Sequence, residues 1–323
     1  MRPRILTGPV SKGVAAGMLA FAAAAQRPVV GPPPGRLVDV GGYTLHIHCT
    51  GDGRPTVVID AGAGAWSLHF AHIQQALSGV RVCTYDRAGL GWSDAGPMPR
   101  TSDRMVEELH ALLRGAGVAP PLVLVGHSLG GYTVRIYQAR FPGDVAALVL
   151  LDAAHEQQWD RLSPQARALT EASAAGLRTR AERARRGLLR PEDVTPPGVF
   201  TRHLPGLREA YVAAMLTGQP YATQAAETAA TFESARQVPA SHRLGKLPLV
   251  VLSARRSFEA FAGSGIPVDE SNALWLQLQN ELASLSTNSR HLFSDGHHRL
   301  HEADPTAVVA AIQLAISLVR TGR

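Results

Sequence analysis

Lysine is nearly absent from this chain: Lys12 and Lys246 are the only two among 32 basic residues. The formal charge of +6 therefore rests on arginine. The arginines are scattered, no aromatic-interleaved basic stripe accompanies them, and no nucleic-acid module is present, so nucleic acid is not an expected partner. Bulk charge alone licenses only non-specific association. Long apolar runs are also lacking. The one at Val14 to Ala25 is a dozen residues, short of the ~20 that a bilayer span needs. Cysteine occurs only at Cys49 and Cys83. Four histidines gather at His291, His297, His298 and His301, but no pair sits at i, i+4 on one helix with a carboxylate partner, so no metal site is expected. Nothing in the chain calls for a cofactor.

What is present begins with size. A chain of 323 residues, 45% apolar, accommodates one large globular domain or a domain with an insertion. Arg2, Arg4 and Lys12 precede the Val14–Ala25 run, and Gln26-Arg27-Pro28 ends it. A basic start, an apolar middle and an alanine-rich end resemble a secretory signal peptide, which would send the chain to the periplasm or outside the cell. An uncleaved anchor and a plain extension are the other readings. Membrane contact is expected only through this N-terminus. Gly31-Pro32-Pro33-Pro34-Gly35 reads as a stiff linker, so residues 1–36 stand apart from a folded domain at 37–323.

The centre of that domain is Val123-Leu124-Val125-Gly126-His127-Ser128-Leu129-Gly130-Gly131. Its left half is a β-branched apolar run opened by Pro120-Pro121 and reads as a strand buried on both faces. Its right half enters a helix-length pattern that stops at Pro142-Gly143. A serine between strand and helix, with small residues two before and two after it, is a nucleophile elbow. The turn is so tight that a side chain at 126 or 130 would clash, and the helix start offers backbone N–H groups to a developing anion.

Other segments agree with this centre. Arg36 to Cys49 reads as a hairpin turning at Gly41-Gly42, and Pro55 to Asp60 as a strand ending in the glycine-rich loop Ala61 to Trp66. Val80 to Tyr85 is another strand, followed by Asp86-Arg87-Ala88-Gly89-Leu90-Gly91-Trp92-Ser93, and Thr101 to Leu113 is an amphipathic helix. Val145 to Leu151 is a buried strand delivering Asp152. From about 157 to 245 strand signals vanish, and helical segments from Pro164, Leu207 and Ala225 are broken by prolines. The locally basic run Arg178 to Arg190 there reads as a solvated helix face. Leu247 to Leu252 and Arg290 to Phe293 resume the strands, and a helix from Pro305 to Val319 closes the pattern. Alternating parallel strands and helices argue for a doubly wound sheet with its site at the carboxyl ends.

From Leu37 to Arg320 the chain resembles the α/β-hydrolase fold superfamily, carried by the elbow and by the Asp86 to Ser93 loop. Cys49, Asp86 to Gly89, Gly126 to Gly131 and Leu151-Asp152 further resemble a group of bacterial, often exported hydrolases. The resemblance implies an eight-stranded, mostly parallel α/β sheet with a helical cap after strand 6, at about 157–245. It implies an order of Ser128, acid and histidine along the chain. For the histidine, the distance to the proline opening the last helix favours His298, whereas Gly296-His297 mimics the frequent Gly-His pair. The usual acid position after strand 7 is occupied by Ser253-Ala254-Arg255-Arg256-Ser257, so Asp152 is chosen; Asp269 and Glu270 come too late for a short loop, and a long loop returning either of them is the alternative. The backbone amides of Ala63 and Leu129 are the expected oxyanion donors, with Ala61 where many relatives carry histidine. Asp86 and Arg87 are read as structural.

The family's strand order would place Cys49 and Cys83 on adjacent strands; a disulfide and two unpaired thiols both stay open. The expected activity is cleavage of an ester-like bond of a small or medium acyl substrate through an acyl-enzyme on Ser128. Lactone, thioester, C–C and cofactor-free haloperoxidase chemistries, and non-catalytic ligand binding, are the alternatives. Serine at 128 excludes dehalogenase and epoxide hydrolase chemistry, which needs a carboxylate nucleophile.

Overall fold

The structure, a computed structural model, describes residues 33–198, 205–239 and 243–322. The signal-like run and the first two residues of the proline-rich linker, Gly31 and Pro32, lie outside the described residues. Eight strands form one sheet: β1 (Arg36–Asp39), β2 (Thr44–Thr50), β3 (Thr56–Asp60), β4 (Val82–Tyr85), β5 (Leu122–His127), β6 (Val145–Leu151), β7 (Leu249–Arg256) and β8 (Ser289–His297). Their order is β1-β2-β4-β3-β5-β6-β7-β8. β2 pairs antiparallel with β1 and β4, and every other pairing is parallel. The central strands must be apolar on both sides because helices cover both faces. On one face Phe70 and Ile73 of α1 (Ser67–Ala76) pack with Ile312 and Ile316 of the last helix, Pro305–Thr321. On the other, Leu109 and Leu112 of α2 (Ser102–Gly115) pack with Val134 and Ile136 of α3 (Gly130–Arg140).

Residues Cys49 and Cys83 face each other across the β2–β4 pair and are joined as a disulfide, so the unpaired-thiol reading is not realised. Strand β7 runs through Ser253 to Arg256, where a loop was expected, and β8 extends to His297, four residues beyond Phe293. Parallel pairing of the two strands, from Leu249↔Ser289 to Arg256↔His297, holds these polar ends in the sheet. Propensity alone did not signal that tertiary pairing.

Between β6 and β7 lie α4 (Gln158–Arg161), α5 (Pro164–Arg185) and the helices Arg208–Leu216, Gln219–Ala229 and Thr231–Gln237. Helix α5 runs ten residues past its expected end at Ala175. Gly176 costs a helix about 1 kcal/mol, and the Ala, Leu, Arg and Glu around it are strong helix formers that carry the helix through. Its residues Arg178, Arg183 and Arg185 are exposed, as expected of a solvated face, while Arg180 lies over the Tyr221 ring.

Candidate functional site

Three strand ends build the site. Ser128 follows β5 at φ 51° and Asp152 follows β6 at φ 42°; they are the two non-glycine residues with positive φ among the described residues. Such a conformation costs on the order of 1–3 kcal/mol and persists only where neighbours hold it. Here they do. The amide of Ser128 donates to the Leu151 carbonyl at 3.2 Å, the Ser128 carbonyl accepts from Ala154 at 2.9 Å, and the amide of Asp152 donates to Leu252 at 2.7 Å. The turn also needs its glycines. A Cβ at Gly126 would stand 2.6 Å from the Gly130 carbonyl oxygen, and one at Gly130 would stand 2.4 Å from that of Asp60.

The structure brings Ser128, His298 and Asp152 into one hydrogen-bonded chain. His298 Nδ1–H donates to Asp152 Oδ2 at 2.6 Å, and its Nε2 accepts from the Ser128 hydroxyl at 2.9 Å. The carboxylate sets this tautomer, because only a protonated Nδ1 can donate to it. His297 stands one residue earlier at the end of β8, where its Nδ1 accepts from the Arg299 amide. Asp269 and Glu270 are exposed in the first turn of the helix Val268–Ala283.

The Asp152 carboxylate is fully buried and receives three further donors: the Ala254 amide at 3.0 Å, the Ser257 hydroxyl at 2.6 Å and the Trp275 indole N–H at 2.8 Å. Thus the stretch Ser253 to Ser257, which carries no acidic residue of its own, supplies two donors to the carboxylate that follows β6. Ser257 and Trp275 carry no sequence signal for that task, since both act across more than a hundred residues. A third residue that sequence reasoning missed is His127, whose Nε2–H donates to the His298 carbonyl at 2.9 Å. Burial, with His301 and His298 beside it, pushes the His127 imidazole well below its ordinary range, so it stays neutral.

Ala63 and Leu129 border a cavity of about 250 Å3 that opens onto Ser128 and His298. Its walls are mainly apolar and include Trp159, Leu162, Phe258, Ile266 and Trp275. Asp86 and Arg87 are buried and serve the loops. Asp86 accepts from the amides of Ser67 and Trp92, each at 2.9 Å, and faces His46 Nδ1 at 2.9 Å. Arg87 binds the carbonyls of Ala61 and Gly62, both at 2.7 Å.

A family model for the alpha/beta hydrolase fold matches residues 55–300. An AB hydrolase superfamily protein of Gibberella zeae is 26% identical over 307 residues, covering 83% of this chain and 88% of the relative. Three other curated relatives, from Hormonema carpetanum and Bacillus subtilis, are matched over only 19%, 46% and 39% of their own lengths. Among solved structures, a thermophilic esterase from Thermogutta terrifontis superposes with a TM-score of 0.57 at 22% identity, covering 88% of this chain and 98% of that one. The haloalkane dehalogenase DatA from Agrobacterium tumefaciens superposes with a TM-score of 0.59 at 16% identity, covering 88% and 96%. At such identities the likeness speaks for the fold alone. Matched by the family's model through most of its length and built on an eight-stranded, mostly parallel sheet flanked by helices, this chain belongs to the α/β-hydrolase fold family.

Proposed function

We propose that the protein is a serine hydrolase that cleaves ester-like bonds of neutral, mainly apolar acyl substrates. The observation that carries this reading is the continuous hydrogen-bonded chain from Ser128 through His298 to Asp152 at the mouth of an apolar cavity. A serine hydroxyl is a weak nucleophile by itself, and an imidazole within hydrogen-bond reach makes it a strong one. In the proposed mechanism Ser128 Oγ attacks the acyl carbonyl while His298 Nε2 takes its proton. Asp152 holds the ring in the required tautomer and stabilises its cation. The developing oxyanion sits between the amides of Ala63 and Leu129, each such donor being worth roughly 3–4 kcal/mol in kcat. His298 then protonates the leaving alcohol, and water clears the acyl-enzyme by the same route.

The resemblance to a dehalogenase does not extend to this chemistry, because Ser128 stands where that reaction needs a carboxylate. The Cys49–Cys83 disulfide supports an oxidising compartment as the place of work, in keeping with the signal-like N-terminus. A fluorophosphonate probe tests the reading by intact mass. The wild type should gain one adduct and Ser128→Ala none. A folded wild type that stays unlabelled would overturn the proposal in favour of ligand binding without catalysis.

A further inference from the structure

The glycine-rich loop after β3 is held by a buried pair, Arg87 and Glu227, the latter 163 residues beyond Gly64 in sequence. All five N–H donors of Arg87 are engaged. Its Nε and Nη2 donate to the two oxygens of Glu227 at 2.8 and 2.9 Å, Nη1 donates to Asp60 and to the Ala61 carbonyl, and Nη2 also reaches the Gly62 carbonyl. Glu227 is itself fully buried, and its Oε2 accepts from the Gly64 amide at 2.8 Å. The loop is therefore clamped on both sides of Ala63, by carbonyl oxygens at 61 and 62 and by an amide at 64.

This clamp sets the direction of one N–H. The carbonyl of Gly62 and the amide of Ala63 belong to one planar trans peptide, so their bonds point in opposite directions. With the Gly62 oxygen turned to Arg87, the Ala63 N–H is turned away from it. Ala63 and Glu227 both line the cavity at Ser128. The helix that supplies Glu227, Gln219–Ala229, is tied down elsewhere as well. Its Thr223 hydroxyl donates to the Gly89 carbonyl at 3.1 Å, and the next helix, Thr231–Gln237, offers Ser234 and Gln237 oxygens to the Ser102 and Asp103 amides that open α2.

We infer that Glu227 is a positioning residue for the Ala63 oxyanion donor, and that the helix Gln219–Ala229 is a fixed part of the active-site frame rather than a cover that swings away. The inference rests on the serine-hydrolase reading for its catalytic consequence and on geometry alone for the clamp.

Two measurements test it. In Glu227→Gln one carboxylate oxygen becomes an amide NH2 donor, which must face the guanidinium, or the guanidinium and the Gly64 amide. Its kcat for an ester substrate should fall about 10- to 100-fold, a fraction of what losing an oxyanion donor costs, while KM changes by less than about threefold. Affinity for a trifluoromethyl ketone, which forms a serine hemiketal oxyanion, should fall by the same factor as kcat. Wild-type kcat, or a change confined to KM, overturns the positioning role. Labelling of wild type but not of Ser128→Ala is scored separately, so failure of the serine chemistry cannot be mistaken for failure of the clamp. Hydrogen exchange of the unmutated chain reads the clamp without any variant or turnover. Residues 61–66 and 219–229 should be protected together and open together, and rapid exchange of 219–229 beside a protected loop would overturn the inference.

Discussion

In the proposed reaction Asp152 has a single task, yet its surroundings give it a larger part in organising the site. Four donors converge on its carboxylate, and the residue itself accepts a positive φ to meet them. Replacing it with asparagine leaves the shape but puts an N–H2 group or a neutral oxygen where His298 Nδ1–H needs an anion. Asp152→Asn is expected to lower kcat by roughly three to four orders of magnitude with an unchanged circular-dichroism spectrum. Turnover near wild type would move the acid elsewhere. The place of Asp152 beside His298 was legible in the sequence because the segment 253–257 had no carboxylate and because Asp152 follows a buried strand. Its supporters were not. The Trp275 indole and Ser257 hydroxyl reach the carboxylate only once β6, β7 and the Val268–Ala283 helix are packed, and no local pattern marks such a contact. Glu227 was hidden for the same reason, since it reads as one acidic residue in an alanine-rich helix.

At the scale of elements, the legible parts are those whose physics is local. The β5–Ser128–α3 turn is written in glycines whose Cβ atoms would collide with backbone, and the buried strands are written in β-branched runs. Element ends were less legible, because β7 and β8 are prolonged by pairing with one another rather than by their own composition. The disulfide belongs to this scale as well, joining the antiparallel β2 to β4 across 34 residues of sequence. Closing a loop of that size in the unfolded chain is worth about 3–4 kcal/mol in the chain-entropy account. The Cys49→Ser/Cys83→Ser double variant should therefore melt roughly 5–10 °C lower with its active-site chemistry intact. An unchanged melting temperature would show that the bond adds little to a sheet already held by its core.

At the scale of the whole molecule, buried histidines couple stability to acidity. Burial drives His69 down to about 4 and holds His127 and His301 well below the ordinary histidine range, with neighbouring imidazoles adding to the effect at the latter two. In the unfolded chain these rings protonate near pH 6.5. The stability they lend is present above that value and is lost as pH falls through the window between the unfolded and folded values, because the unfolded state takes up protons the native state refuses. Each such ring contributes a slope of about 1.4 kcal/mol per pH unit within its window. Differential scanning calorimetry should find a melting temperature that drops steadily from pH 7 to pH 5. A flat profile would mean that these rings take up protons in the fold as readily as in the unfolded chain.

The cavity walls carry a last consequence. Trp275 and Glu227 face the space a substrate would fill, yet each also holds a part of the machinery, the acid in one case and the glycine-rich loop in the other. Trp159, Leu162, Leu169, Phe258 and Ile266 line the same space, and no hydrogen bond links their side chains to the reacting set. If the proposed hydrolase activity holds, inheritance can rewrite its diet along α4, α5 and the 258–266 segment while Trp275 and Glu227 stay under lock, and a laboratory seeking new substrates should draw its libraries along the same line.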